Sequence, residues 1–460
     1  MCTICSTQNC NFCSKKISNN LCCSRCNKVF YCNKTCQTKD WKLTHKKYCY
    51  ESTGDIYFTN DDYTKALEHY TIAAELNNNN AQYKLGNIYI DKYSNYLNYE
   101  KAFEYFTKAA EQNNIYAICN LGVMYYNGYY VKQDLKKAFE YYSISAKQNN
   151  NIALCNLGIM YFNGYGIEIN FKLAFEYFIK SAEQNNDYAQ CNIGNMYFLG
   201  KGINIDYKKA FEYFIKAAEQ NNNDAQYKLG IMYYLGKGIN IDYKKAFEYY
   251  TLSAKQNNHC AICNLGLMYF NGNYVKKDYK KALEYYSIAA KENNSTALCN
   301  LGVMYSNGNC VDKDYKIAFE YFIQAAKQNN NDAQYKLGYM YIYGNGVEIN
   351  YTLALEYFIK AADTNYEAQH KLGDMYFYGD CVDKDYTKAL KYYTKAAEHN
   401  IDAQYKLAYM YFNGYGVNIN YILAFEYFTK SAEQNNNQAQ YYLGYMYFFE
   451  YVLKKIILKQ

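Results

Sequence analysis

Residues 225–258 read AQYKLGIMYYLGKGINIDYKKAFEYYTLSAKQNN, and the spacing within them decides the fold. Ala225, Leu229, Met232 and Tyr233 fall at i, i+4, i+7 and i+8, one apolar stripe of a 3.6-residue period, which predicts a helix with Asp224 as its N-cap. Gly236 and Gly238 then break it, because glycine reaches positive φ without steric penalty. Asp242 is placed to cap a second helix, whose Ala246, Tyr249, Tyr250, Ser253 and Ala254 face inward. Asn257 and Asn258 close the unit with a residue type that tolerates a left-handed helix end.

The same unit recurs along the chain. Its Leu-Gly step, or a close variant, stands at Gly86, Gly122, Gly158, Gly194, Gly230, Gly266, Gly302, Gly338, Gly373, Ala408 and Gly444, at intervals of 36 or 35 residues. A fixed period of this length means a solenoid, in which each helix pair buries its faces only against its neighbours. The expected divisions are an extension over 1–9, a cysteine-rich head over 10–49, a shortened repeat over 50–80, ten repeats over 81–438, and a truncated repeat with a capping helix over 439–460.

Composition narrows the class. The 460 residues include 63 tyrosines, 18 cysteines and no proline, which excludes collagen-like, mucin-like and proline-rich linker chains. The net charge of +6 is uneven: residues 1–50 hold nine lysines or arginines against one acid, leaving −2 for the other 410 residues. The N-terminus lacks a basic stretch followed by an apolar one, and no uncharged apolar run is long enough to span a bilayer, so a soluble intracellular protein is expected.

Within the head the spacing is Cys10-x2-Cys13, Cys23-x2-Cys26, Cys32-x3-Cys36 and His45-x3-Cys49. Eight N or S donors in such pairs suit two tetrahedral zinc ions. A disulfide framework fits less well, given the histidine and the missing secretory signal. Fifty residues bury little apolar surface, so the metals would supply most of the folding free energy. Cys22 could replace Cys23 as a donor, although Cys23 keeps the spacing, and Cys2 with Cys5 reads as a fortuitous pair.

The string Cys32-x3-Cys36-Gln37-x3-Trp41-x3-His45-Lys46-x2-Cys49, preceded by Tyr31, resembles the MYND-type zinc finger. The resemblance implies interleaved ligands: Cys10, Cys13, Cys32 and Cys36 on one Zn2+, Cys23, Cys26, His45 and Cys49 on the other. It also implies binding of other proteins, often through proline-containing peptides, with Gln37 and Trp41 in contact. Trp41 could equally be the aromatic plug of a small domain. Bound thiolates would lower the charge of the head from +8 to about +5, which disfavours phosphate binding.

The repeat pattern Ala-x-x-x-Leu-Gly-x-x-Tyr-x-x-Gly-x-Gly-Val/Ile-x-x-Asp-Tyr-x-x-Ala-x-x-Tyr-x-x-x-Ala-Ala resembles the SEL-one-like repeat, a relative of the tetratricopeptide repeat. The implied class is all-α: a right-handed α/α superhelical solenoid of about eleven to twelve 36-residue helix-loop-helix repeats that scaffolds protein complexes, behind a small N-terminal double-zinc MYND-like finger. Four units depart from the Gly-x-Gly loop, with Tyr130, Tyr274, Cys310 or Cys381 at its second glycine.

On a helical wheel the residues two, six and nine past the starting alanine point away from the core. They include Cys119, Val123 and Tyr126; Cys155, Ile159 and Phe162; Tyr227, Ile231 and Tyr234; Cys263, Leu267 and Phe270; and Tyr335, Tyr339 and Ile342. The tetratricopeptide resemblance implies that this side lines a concave groove; the alternative is that consecutive first helices bury it. Units with Cys two past the alanine have Asn next, whereas units with Tyr or His there have Lys, as in Lys84, Lys228, Lys336, Lys371 and Lys406. Block duplication explains this most simply, and a ladder bonding an extended peptide is the alternative. Helix cysteines one per repeat lie about a helix-packing distance apart, too far for disulfides, so a reducing compartment, cytoplasm or nucleus, is expected.

The reading is a non-enzymatic adaptor without a small-molecule substrate or membrane partner. The alternatives are a nucleic-acid-associated regulator acting through the basic head, and a methyltransferase-related protein, for which the repeats leave no room.

Overall fold

The computed structural model describes residues 11, 21–23, 30–31, 34–92 and 94–457. Among them are 24 α-helices and one short antiparallel pair, β1 (Leu21–Cys22) with β2 (Phe30–Tyr31). The first helices are α1 (Lys34–Asp40), α2 (Lys46–Thr59), α3 (Tyr63–Glu75), α4 (Asn79–Ile90) and α5 (Tyr99–Glu111). Paired helices then continue to Asn437–Ile457, which makes the chain an all-α solenoid of helix-loop-helix repeats. It divides into two compact units, residues 1–225 with 237–239, and residues 226–236 with 240–460.

Helix ends follow from the Asn and Asp residues, with one correction. Asp242 accepts from the Lys245 N–H at 3.0 Å, as the sequence predicts, but the first helix of that repeat begins at Asn223 and its cap is Asn222, not Asp224. The Asn-Asn turn does two jobs: Asn257 takes the left-handed conformation at φ 60°, and Asn258 caps the next helix through the Ala261 N–H. Asp224 instead sits in the first helical turn, where a carboxylate favours the helix dipole.

The loops keep one geometry. Gly236 and Gly238 have φ 68° and 74°, and Tyr130, Tyr274, Cys310 and Cys381 adopt the same left-handed region at φ 64°, 64°, 58° and 67°. The departures from Gly-x-Gly therefore leave the backbone path intact at a strain of about 1–3 kcal/mol each.

Between helices the core is made of small residues against rings. Ala225, Leu229, Met232 and Ala246 are fully buried, with Tyr250 at 2% exposure. A second, unforeseen layer is a tyrosine pair in every full repeat: Tyr89–Tyr105, Tyr125–Tyr141, Tyr161–Tyr177, Tyr197–Tyr213, Tyr233–Tyr249, Tyr269–Tyr285, Tyr305–Tyr321, Tyr341–Tyr357, Tyr376–Tyr392 and Tyr411–Tyr427 all stack. Each such pair contributes about 0.5–1.5 kcal/mol beyond area burial. In several repeats a lysine caps the pair, as Lys245 does over Tyr233 at 5.1 Å.

Candidate metal centre and interaction surfaces

α1 and α2 are joined by a π-helical turn, Trp41–His45, with helical backbone at both junctions. The wide turn is a local break in the i→i−4 ladder of the kind found at functional sites. His45, its last residue, and Cys49, four residues on in α2, share one helix face. Cys23, just past β1, meets that face. Cys23, His45 and Cys49 are 5%, 5% and 0% exposed, and their donor atoms all lie within 4.8 Å of one another.

The two Sγ atoms are 3.6 Å apart. A disulfide would need about 2.05 Å. Two thiolates on one tetrahedral zinc at about 2.3 Å per bond stand about 3.8 Å apart, so the donor set fits a shared metal. Of the Cys22–Cys23 doublet, Cys23 faces the cluster, while Cys22 lies in β1 with its carbonyl turned to the Gln37 side chain. Cys10, Cys13, Cys26 and Cys32 lie outside the described residues, and Cys36 is half-buried on α1.

Gln37, which the resemblance implies contacts a peptide, is half-buried and its Nε2 donates to the Cys22 carbonyl at 3.4 Å. Trp41 is half-buried, its ring 5.7 Å from His45 and 6.3 Å from Tyr50. The packing role weighed for it in the sequence is thus present. Leu43 and Tyr48, at 70% and 50% exposure, are apolar surface near it in the chain; their only signal in the sequence was being apolar in a domain too small to bury everything.

The finger does not end in a linker. α2 carries Cys49 and is also the first helix of the shortened repeat, so one helix serves both parts. Tyr50 and Tyr57 pack on His69 of α3 at 5.6 and 5.3 Å. Glu51 and Asp55 of α2 pair with Lys84 of α4 at 2.8 and 2.7 Å, and Asp55 also accepts from the Tyr70 hydroxyl at 2.7 Å. Burial works against the Lys84 charge, but the hydrogen bonds its ammonium donates to Asp55 and Glu51 outweigh it and hold its pKa above the ordinary value.

The stripe expected to point away from the core is covered to a large extent. Cys119, Cys155 and Cys263, at 2%, 3% and 2% exposure, are sealed between repeats, so they are corrected from groove-lining to packing residues. The wheel treats each helix in isolation, whereas the next first helix lies over this side. Val123, Tyr126, Ile159, Phe162, Tyr227, Ile231, Tyr234, Leu267, Phe270, Tyr335, Tyr339 and Ile342 are all half-buried. No helix among the described residues is long and apolar enough to cross a membrane.

The Sel1 repeat family matches twelve successive segments between residues 51 and 454, and the MYND finger family matches residues 10–49. No curated protein matches the chain. Among solved structures, the Escherichia coli protein c5321, a protective antigen displaying an SLR fold, is 30% identical over 82% of this chain and 89% of its own, with a TM-score of 0.48. A Sel1 repeat protein from Oxalobacter formigenes is 27% identical over 67% of this chain and 89% of its own, with a TM-score of 0.44. Yeast Tom70 is 15% identical over 90% and 99% of the two chains, with a TM-score of 0.40. A MYND finger implies bound zinc, and with a repeat solenoid behind it fits a protein-interaction scaffold whose partners are proteins. With Sel1 repeats across the body and a MYND finger ahead of them, the chain belongs to the Sel1 repeat family.

Proposed function

We propose that the chain is a non-catalytic adaptor whose zinc finger and repeat array present two protein-binding surfaces on one frame. The observation that carries this is α2, which holds Cys49 and is at the same time the first helix of the array. In this reading Cys23, Cys26, His45 and Cys49 hold one zinc, and Cys10, Cys13, Cys32 and Cys36 the other. With four protein donors each, such ions supply folding free energy and leave no open position for a substrate.

Half-buried Trp41, with exposed Leu43 and Tyr48 close to it in the chain, offers aromatic and apolar side chains to a short proline-containing peptide, and Gln37 is the polar contact the finger resemblance implies. The half-buried side chains Tyr335, Tyr339 and Ile342 form part of the array's candidate binding surface. Cys119, Cys155, Cys191, Cys263 and Cys299 recur at multiples of 36 residues, one per repeat and about a helix-packing distance apart, too far for disulfides, which supports a reducing compartment.

Peptide-array binding with the purified chain tests the reading. Trp41→Ala is expected to weaken a proline-containing peptide at least about tenfold without loss of zinc. Binding that survives both Trp41→Ala and Tyr339→Ala overturns it.

A further inference from the structure

Lys84 stands three residues past the alanine that starts its repeat, Ala81. Its two carboxylate partners, Glu51 and Asp55, come from the neighbouring first helix, α2. They lie three residues before and one after Gly54, which meets the Tyr70 ring as Gly86 meets Phe106. Glu51 and Asp55 therefore occupy the registers two and six past the start of the preceding repeat. The chain itself shows how a lysine in this register is satisfied: by acidic groups lying along the face of the helix before it.

Lys336, Lys371 and Lys406 stand in the register of Lys84, in three successive repeats. The preceding helices offer them Cys299 and Val303, then Tyr335 and Tyr339, then His370 and Asp374. The register holds in space, since the Lys371 ammonium lies over the Tyr339 ring at 5.8 Å. Only Asp374 is acidic, and it already accepts from the buried Tyr393 hydroxyl at 2.7 Å. Lys406 reaches the Tyr378 hydroxyl and the rings of Phe377 and Tyr405 instead. Among the described residues no carboxylate lies within ion-pair distance of these three ammonium groups.

A cavity opens beside the first of them. It holds about 250 Å³, takes Lys336 and Lys313 with Ser306, Asn307, Tyr339 and Asn345 in its wall, and has no carboxylate there. The cavity at Lys84, about 600 Å³, is lined by Asp55 and Asp91. The same kind of recess is thus acid-lined where the chain fills the register and purely cationic where it does not.

We propose that the first helices of the repeats from Ala297 to Asn413 bind an acidic, extended segment of a partner protein, its carboxylates taking the place that Glu51 and Asp55 take at Lys84. This rests on the adaptor reading and gives its array surface a ligand class. Neighbouring first helices pack about 10 Å apart and an extended chain advances about 3.3 Å per residue, so an acid at every third position matches the lysine row. Tyr335 and Tyr339 supply apolar and aromatic contact between the charges.

The probe is a fluorescein-labelled peptide with Glu at every third position, titrated into the full zinc-loaded chain by fluorescence anisotropy. Lys336→Glu with Lys371→Glu and Lys406→Glu is expected to weaken binding about tenfold or more. Lys327→Glu with Lys360→Glu and Lys395→Glu makes the same charge change on exposed lysines of neighbouring second helices and should leave binding unchanged. Circular dichroism checks that both variants keep wild-type helicity. Equal loss in both variants, no binding by the wild type, or tighter binding of an RNA oligonucleotide at the same lysines overturns the proposal. A proline-containing peptide that still binds through Trp41 in those cases leaves the adaptor reading standing.

Discussion

A Cβ placed on Gly194 would stand 2.7 Å from Cδ1 of Phe214, a ring with no solvent exposure. Gly338 meets Phe358 at the same distance, and Gly302 meets Phe322 likewise. The recurring glycine of each first helix is therefore the seat for the large ring of its second helix.

Gly194→Val should destabilise the repeats around it by about 1–3 kcal/mol, because the ring has nowhere to move in a packed core. Gly194→Ala should cost less, since alanine gains about 1 kcal/mol of helix propensity and Ala408 already fills this position in one repeat. Urea unfolding followed by circular dichroism reads both changes.

Lys84 is 29% exposed and holds two carboxylates, so Lys84→Met should cost about 1–3 kcal/mol, between the values for buried and surface pairs. Lys108, at 49% exposure with Glu104 one turn away, is the comparison: Lys108→Met should cost less than about 0.5 kcal/mol. The two midpoints in one urea series separate them.

Metal analysis is expected to return two zinc ions per chain, four donors each, and about one for Cys49→Ala. Because α2 also carries the Lys84 partners Glu51 and Asp55, chelation should raise hydrogen exchange in α2 and α3 as well as in the finger. Exchange confined to the finger would show that the shared helix does not transmit the loss.

Burial pushes the thiols of Cys119, Cys155, Cys263 and Cys299 from 9.0 up to about 12. Burial likewise raises the buried tyrosines, Tyr142, Tyr250 and Tyr286 among them. A folded pKa above the unfolded one means that the folded state holds the proton longer, so this stability is complete below about pH 9 and is lost as pH rises toward 12. Thermal midpoints should be level from pH 7 to about 9 and fall above it. At pH 8 iodoacetamide should label exposed Cys260 and leave those four thiols unmodified until the chain unfolds.

The repeat period, the helix pairs, the Gly loop and the second-helix cap were all legible, because each is set by residues close in sequence. Asp242 and Asn257 behave as local chemistry dictates. The first-helix cap was misplaced by two residues because Asn222 and Asp224 are both good cap residues, and in the structure it is Asn222 that accepts from the Ala225 N–H. Whether Cys119, Cys155 and Cys263 line a groove or pack between repeats stayed open in the sequence for a different reason: their surroundings come from other repeats, which a single-helix wheel does not contain.

Eight donors in paired spacing, and a unit repeated every 36 or 35 residues, are properties of the chain itself, and they determined a zinc finger followed by a helical array. Only the tertiary structure decided what lies beside what: Cys23 rather than Cys22 against His45 and Cys49, one helix shared by finger and array, Tyr233 stacked on Tyr249, and acids beside Lys84 but not beside Lys336. Spacing along the chain governs helices and metal pairs because their contacts span few residues, whereas burial and charge neutralisation depend on side chains brought in from the neighbouring repeat.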